Sequence, residues 1–323
     1  MQAFLLLIFL LTTSLASAQR PDSAQISPDR LVYYTFANDA FFRSDYYFTQ
    51  GQTLMLVLPG LGRSPVNRLL GLIPTGSTRY HGIRLRYDGF TPLRIQDPFI
   101  RVGDRPYASY WYADFFRVAN QPTRKFRLTT ALNLGFMGPA AGAKSFQTKL
   151  HQWLDAPTPR GWDYQIRNDL VLGYEAHAEK QLLAVGRGAE LIGSADASLG
   201  TLYTYAGAGA RLRVGLLNPY FDNLGVSGPA SRAGQRRVQL YAEGQLEGRL
   251  VGYDATLQGG LFRSDNPYTL PANAISRTVA RSTATLGLGY AGVRLEASAV
   301  QISPEFDGAR SHKWVQFGVR VGF

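Results

Sequence analysis

One histidine on a helix-like stretch is the first place where the sequence suggests chemistry. Within residues 138–165 the apolar residues recur with a helical period and form a stripe of Phe146, Leu150, Trp153 and Leu154. The opposite face carries Lys144, Gln147, His151 and Asp155. An acid one turn from a histidine could fix its tautomer and stabilise the imidazolium, so His151 and Asp155 are candidates for a general base and its orienting acid. The alternative is a surface helix whose polar face only meets water.

The rest of the chain must position this stretch, and it reads almost entirely as strands and turns. Apolar and polar residues alternate from Val238 to Leu250 and from Val293 to Ala299, and again around Leu85 and Leu212. Alternation of this kind fits a soluble sandwich, with its polar face toward water, or a membrane barrel, with its apolar face toward lipid.

Three features favour the barrel. The alternating stretches are long for soluble strands, which average about 5–6 residues. The polar faces carry charges such as Glu243, Glu247 and Arg249, which suit a wet lumen. The last residues place Val315, Phe317, Val319, Val321 and Phe323 on one face, a pattern that resembles the assembly signal of bacterial outer-membrane barrels.

The sequence therefore predicts an all-β fold, a transmembrane antiparallel β-barrel of about twelve strands with a short helix in an extracellular loop. The predicted strands cover about residues 31–40, 47–58, 78–89, 105–118, 123–137, 164–182, 186–199, 202–216, 236–252, 277–290, 292–302 and 312–323. With both termini in the periplasm, the unusual polar clusters all fall at connections that follow odd strands, on one rim. Two long connectors, around residues 60–77 and 218–235, fall on the other rim without an evident reason for their length.

At these polar clusters the sequence resembles the outer-membrane lipid A 3′-O-deacylases, a family of twelve-stranded barrels. The resemblance covers about residues 30–170 and rests on Phe36-Ala37-Asn38-Asp39, Tyr47-Phe48-Thr49-Gln50-Gly51, Gly103-Asp104-Arg105-Pro106-Tyr107-Ala108, Gly138-Pro139, Gln147 with His151, and Gly161-Trp162-Asp163-Tyr164-Gln165. Each motif is weak alone, but their order and spacing together are specific.

The resemblance implies calcium-dependent hydrolysis of the 3′ acyl ester of lipid A, with lipopolysaccharide as the substrate. His151 matches the histidine base that deprotonates a water, and Gln147 matches a residue close to that base. Asn38, Asp39 and Thr49 match the other essential polar residues, and Asp39 is the candidate ligand for Ca²⁺. A hard cation with oxygen ligands could polarise the ester carbonyl and stabilise the oxyanion.

The chain departs from the family pattern next to the histidine. Where the family has a catalytic glutamate, the ungapped counterpart is Pro157, and Asp155 is the nearest acid that could substitute for it. The family's basic residue in the loop between strands 3 and 4 has no unambiguous match, so Arg94 and Arg101 are both candidates for binding lipid phosphate. We interpret Asp104 and Arg105 as a structural ion pair that supports the rim.

The composition of the chain indicates its cellular compartment and its partners. Residues 1–18 have the apolar run and the Ala16-Ser17-Ala18 end of a secretory signal, which leaves residues 19–323 as one barrel domain. The absence of cysteine excludes disulfides, thiolate metal sites and a thiol nucleophile. The net charge of +11 points to anionic lipid headgroups or lipopolysaccharide phosphates, because an exported protein seldom meets nucleic acid.

We therefore expect a monomeric lipid A deacylase in the outer membrane of a Gram-negative bacterium, contacting membrane lipids and the barrel assembly machinery. A passive pore remains as one alternative, which an open lumen and scattered rim residues would favour. A structural barrel is the other, which extracellular loops without a converging polar site would favour.

Overall fold

Long alternating strands close the chain into one barrel. The computed structural model describes residues 25–42 and 46–323, so the predicted signal segment at residues 1–18 lies outside the described residues. Twelve antiparallel strands pair in sequence order, and the barrel closes where β1 pairs with β12, with Leu31 opposite Gly322 and Asn38 opposite Val315. The predicted all-β, twelve-stranded barrel is confirmed.

The strands are β1 Leu31–Asn38, β2 Tyr47–Val57, β3 Thr78–Thr91, β4 Ala108–Gln121, β5 Phe126–Met137, β6 Asp169–Val185, β7 Ala189–Gly200, β8 Tyr203–Leu216, β9 Val238–Asp254, β10 Thr278–Tyr290, β11 Val293–Ile302 and β12 His312–Gly322. The α-helices are α1 Ala143–Trp153 and α2 Ala255–Gln258. Short 3-10 helices cover Ala40–Phe42, Pro59–Arg63, Pro65–Leu70, Pro139–Ala141, Trp162–Tyr164, Pro229–Ser231 and Ala272–Ala274. Within the described ranges, no helix has the length and apolarity needed to cross a membrane.

The alternation seen in the sequence divides each strand between an apolar exterior and a charged lumen. Leu134, Leu199 and Leu246 on the exterior are between 64% and 73% exposed, which is the expected state of side chains that meet lipid. In the lumen, Arg211 pairs with Glu243 at 3.1 Å, and further arginines pair across neighbouring strands. The charges on the polar faces therefore form ion pairs inside the barrel.

The two ends of the barrel differ in their connections. We call the end at which β1 begins and β12 ends the terminal rim; its connections are residues 58–77, 122–125, 186–188, 217–237 and 291–292. The opposite end is the loop rim, with connections 39–46, 92–107, 138–168, 201–202, 255–277 and 303–311. The helix α1 lies in the longest loop of the loop rim, where the sequence predicted it.

The two long connectors of the terminal rim have different positions. Residues 217–237 enter the lumen, where Phe221 is fully buried and Leu224 and Val226 pack against lumen-facing residues such as Phe116. Arg127 donates to the carbonyl oxygens of Tyr220 and Asn223 at 2.6 and 2.7 Å and so holds this plug in place. The other connector, residues 58–77, packs on the outside of the wall. The structure thus accounts for both lengths that the sequence left unexplained.

Candidate active site

The helix α1 docks against the outside of the barrel wall and buries its polar face there. Ala143 and Gln147 are its buried residues, and Ala143 packs with Tyr87, Tyr107 and Trp162. The predicted apolar stripe faces outward instead: Trp153 is 80% exposed. A helix on a soluble protein would be turned the other way, so this orientation indicates that its outer side meets an apolar medium.

The helix is fixed at its start by backbone geometry. Gly142 precedes it with φ of 76°, in the left-handed region that favours glycine, and its carbonyl accepts from the amide of Phe146 at 3.1 Å. The chain therefore turns sharply from the 3-10 segment Pro139–Ala141 into α1.

A line of buried hydrogen bonds joins the helix to the wall. The Gln147 side-chain amide donates to the Thr49 hydroxyl oxygen at 3.2 Å, and its Oε1 accepts from the Trp162 indole at 2.7 Å. Gln147, Thr49 and Trp162 are between 1% and 3% exposed. Because an unpaired polar atom in such a buried place would cost free energy, these hydrogen bonds fix the position of α1 against β2.

Trp162 is itself held by close packing. Its ring lies 4.7 Å from the Tyr107 ring, and a Cβ on the preceding Gly161 would lie 2.4 Å from that same tyrosine ring. Only glycine therefore lets this part of the loop approach Tyr107, so Gly161 does more than form a turn.

The hairpin between β1 and β2 brings the predicted polar residues to the same place. The Asn38 side-chain amide donates to the Thr49 backbone carbonyl at 2.9 Å, and its Oδ1 accepts from the Ala40 amide at 2.8 Å. Asp39, which is 2% exposed, accepts from the Tyr46 amide at 3.1 Å. Hydrogen bonds therefore bring Asn38, Thr49 and Gln147 together, and Asp39 follows Asn38 in the same hairpin with its contact at Tyr46.

His151 lies one helical turn beyond Gln147 and is half-buried. Its Nδ1 lies 2.7 Å from the backbone carbonyl oxygen of Pro157. A carbonyl oxygen only accepts, so Nδ1 carries the proton and the lone pair of the neutral ring is on Nε2.

The predicted position of Asp155 is wrong. The helix ends at Trp153, and Asp155 lies beyond it with φ of 52°, exposed to solvent. The chain turns back here, because the Ala156 amide bonds the His151 carbonyl at 2.8 Å. The loop thereby carries Asp155 out of helical register and brings the Pro157 carbonyl, in place of a carboxylate, to the histidine ring.

The two arginines predicted to bind phosphate have different surroundings. Arg101 bonds Asp97 at 2.6 Å and Asp104 at 3.0 Å. These hydrogen bonds raise the pKa of Arg101 above the ordinary arginine value, and the bond to Asp97 has the larger effect. Arg94 is mostly exposed, 3.8 Å from Asp97. Arg94 is thus the more available of the two for a ligand.

The predicted Asp104–Arg105 ion pair is wrong. Arg105 is buried and pairs with Glu305 at 2.7 Å across the lumen, while Asp104 pairs with Arg101. The two sequence neighbours face different partners because Arg105 also donates to the Thr256 hydroxyl at 2.7 Å, whereas Asp104 accepts from the Leu93 amide at 2.9 Å within its own loop.

The oxygen donors of the β1–β2 hairpin are of the type that calcium prefers, although few are charged. The carboxylate of Asp39, the amide oxygen of Asn38 and the hydroxyl of Thr49 are hard donors. Within the described ranges no group of three or more His, Cys, Asp or Glu residues could hold a metal. The residues therefore fit a weakly held hard cation, whose remaining ligands would be neutral oxygens.

Sequence reasoning missed two contributors to the site. The Pro157 contribution is a backbone carbonyl, which no residue type reveals, although the proline in place of an acid marked the position. The role of Trp162 was missed because only the fold shows that its indole reaches Gln147. The feature of the sequence that could have indicated this role is the pair Gly161-Trp162, in which a glycine precedes a large aromatic residue.

Comparison with known proteins agrees with this architecture. A family model described as "Outer membrane protein LpxR" matches residues 4–323. The structure of LpxR from Salmonella typhimurium matches with a TM-score of 0.72 and 19% sequence identity, covering 91% of this chain and 100% of that one.

Other matches are more remote. The beta domain of the Bordetella autotransporter BrkA has a TM-score of 0.46 at 13% identity, covering 92% of this chain and 100% of that one. The Pseudomonas putida toluene transporter TodX has a TM-score of 0.35 at 9% identity, with 91% and 89% covered. No curated protein matches the chain.

Proposed function

Because the chain belongs to the LpxR family of outer membrane proteins, we propose that it hydrolyses the 3′-linked acyl ester of lipid A, with His151 as the base. The fold and the family locate it in the outer membrane of a Gram-negative bacterium and relate it to lipid A. The terminal rim, where β1 begins, β12 ends and three connections are short turns, faces the periplasm, and the loop rim faces outward.

One observation carries the proposal: the hydrogen bond from His151 Nδ1 to the Pro157 carbonyl, which leaves the Nε2 lone pair available for a proton. The same helix is tied through Gln147 to Thr49, so the base has a defined position on the wall. A histidine that merely met water would need neither constraint.

In the proposed reaction, Nε2 of His151 takes a proton from a water, and the resulting hydroxide attacks the ester carbonyl carbon of the acyl chain. The tetrahedral intermediate then expels the sugar oxygen, which receives the proton from the imidazolium. The Pro157 carbonyl keeps the ring oriented in both steps through the Nδ1 hydrogen.

Calcium is part of this proposal. The ion would be held by Asp39 together with neutral oxygens of the Asn38–Thr49 hairpin, and it would supply positive charge to polarise the ester carbonyl. Gln147 and Trp162 orient the helix that carries the base.

The position of α1 supports a lipid substrate. Its outward side presents Phe146, Trp153 and Leu154, which are 39%, 80% and 55% exposed, beside His151. Acyl chains in the outer leaflet would contact this side directly, and an ester at their upper end could reach Nε2.

A passive pore is the less supported alternative. The plug of residues 217–237 packs into the lumen at the terminal rim through Leu224 and Val226. At the loop rim, Leu257, Leu270, Ile275 and Phe306 form a second buried cluster across the lumen. Apolar clusters at both ends oppose the passage of polar solutes.

Mass spectrometry of lipid A tests the proposal. Lipid A from cells that express the chain should lose the mass of the 3′-linked acyl group, and lipid A from cells that express His151→Ala should not. Unchanged lipid A in both, with the barrel folded in the membrane, would exclude this activity.

A further inference from the structure

The positive charge of the chain is concentrated on the terminal rim. Segment 25–30 and the connections of that rim contain nine basic residues and two acids, Asp29 and Asp222, a net charge of +7. The basic residues are Arg30, Arg63, Arg68, Arg124, Lys125, Arg187, Arg232, Arg236 and Arg237. The described connections of the loop rim contain ten basic residues and eight acids, a net charge of +2.

The two rims also differ in how their charges are compensated. On the loop rim, Arg94, Arg101, Arg105, Lys144 and Arg263 each pair with an acid. In the part of the chain that the structure describes, none of the nine basic residues of the terminal rim forms a salt bridge. The basic character that the sequence assigned to lipopolysaccharide or lipid headgroups therefore belongs mainly to the periplasmic side.

The connector of residues 58–77 stands out on this rim because it lies on the lipid-facing side of the wall. Arg117 donates to the carbonyl oxygens of Leu70, Gly71 and Leu72 at 3.0, 3.0 and 2.8 Å. Tyr174 on β6 donates to the same Leu70 carbonyl at 2.8 Å. Arg117 points away from the lumen, since its neighbours Phe116 and Val118 line the inside.

The free surface of this connector combines apolar and cationic side chains. Leu69, Leu72 and Ile73 are 67%, 63% and 39% exposed. Arg63 and Arg68 are exposed too, and no described residue pairs with their guanidinium groups. Apolar residues beside basic ones are typical of segments that lie in the headgroup region of a membrane.

We propose that residues 58–77 bind anionic phospholipids of the periplasmic leaflet, with Arg63 and Arg68 at the phosphate groups and Leu69, Leu72 and Ile73 among the upper acyl carbons. The leaflet on this side consists of phospholipids, so charge complementarity selects their anionic members. The hydrogen bonds of Arg117 and Tyr174 keep the segment against the wall, at the depth where headgroups begin. This proposal rests on the outer-membrane location and not on the hydrolase activity.

The test uses the full chain purified in a mild non-ionic detergent, with native mass spectrometry of retained lipid. Phosphatidylglycerol and phosphatidylethanolamine with identical acyl chains are added in equal amounts. The unmodified protein should retain phosphatidylglycerol preferentially, and raised salt should weaken that preference. The double variant R63Q/R68Q should lose about threefold or more of the preference, since each arginine near an anionic lipid contributes separately.

The matched control is R310Q/K313Q, which removes two exposed charges at the opposite end of the barrel, one in the connection 303–311 and one at the start of β12. It should retain phosphatidylglycerol like the unmodified protein, and heat-modifiable migration should show that both variants are folded. Equal retention of the two lipids by the unmodified protein, or equal losses in the two variants, would overturn the proposal. Sedimentation with purified peptidoglycan that depends on Arg63 and Arg68, without a lipid preference, would assign the rim to the glycan and also overturn it.

Discussion

His151 Nδ1 lies 2.7 Å from the backbone carbonyl oxygen of Pro157, and this contact defines the histidine's tautomer. A carboxylate in the same place would add a negative charge next to the imidazolium, whereas a carbonyl offers only a dipole. The ring is therefore oriented, but it receives less electrostatic assistance than a histidine–acid pair provides.

The first prediction concerns His151 itself. His151→Ala should reduce hydrolysis by about 10²–10⁴-fold, the usual range for loss of a general base. Release of fatty acid from lipid A in detergent micelles measures the rate. Gln152→Ala, an exposed neighbour on the same helix, should keep the original rate. Similar losses in both variants would mean that the helix, and not the imidazole, determines activity.

The second prediction concerns Asp155, which the sequence suggested as the orienting acid. Because it lies past the end of the helix with φ of 52°, Asp155→Asn should lower turnover by less than about tenfold. Asparagine tolerates a positive φ well, so the loop should keep its shape. The same fatty-acid assay checks it. A loss as large as that of His151→Ala would show that Asp155 reaches the ring during turnover.

The third prediction concerns the bond between Trp162 and Gln147. Trp162→Phe keeps an aromatic ring beside Tyr107 but removes the donor to Gln147 Oε1, which should destabilise docking of α1 by about 1–3 kcal/mol. Trypsin should then cleave faster at Lys144 and Lys149, with the strands still resistant.

The control for this experiment is Trp153→Phe, the same substitution on the same helix at a side chain that is 80% exposed. It should leave cleavage at both lysines unchanged. Unaltered cleavage in Trp162→Phe would show that the indole hydrogen bond does not hold the helix to the wall.

The fourth prediction concerns calcium. A chelator should suppress hydrolysis and added Ca²⁺ should restore it, because an ion held by one carboxylate and neutral oxygens is bound weakly. Asp39→Asn should raise the calcium concentration that gives half-maximal activity. Asp307→Asn, an exposed loop-rim acid, should leave it unchanged. Full turnover in chelator without carried-over metal would exclude the ion from the mechanism.

Most of the barrel could be predicted from the sequence because each strand has one face in lipid and one in a charged lumen. That contrast makes the period of two visible, as in Leu246 beside Glu247. The first residues of β4 were misassigned, since Arg105 to Tyr107 have strand-like composition but serve the rim. The lengths of the two terminal connectors had no explanation, because plugging a lumen and covering a wall are tertiary roles without a local pattern.

The candidate site could be proposed from the sequence as a set of residues but not as an arrangement. Asn38, Thr49, Gln147 and His151 came from motifs, and the hairpin and helix do bring the first three together. The helical period alone predicted that α1 extends to Asp155, because Leu154 continues the apolar stripe. The turn that ends the helix at Trp153 depends on a positive φ at Asp155, which cannot be predicted from the residue type alone.

For the proposed hydrolysis, the outward apolar stripe of α1 would confine the encounter of protein and substrate to two dimensions. A base carried beside side chains that meet hydrocarbon would be supplied with lipid A by lateral diffusion within one leaflet, so its rate would depend on the amount of lipid A per unit area. Dilution of the cells or of the medium leaves that surface density untouched. Saturation should accordingly follow the mole fraction of lipid A among the surrounding lipids or detergent, and a bulk molar KM would change with every preparation.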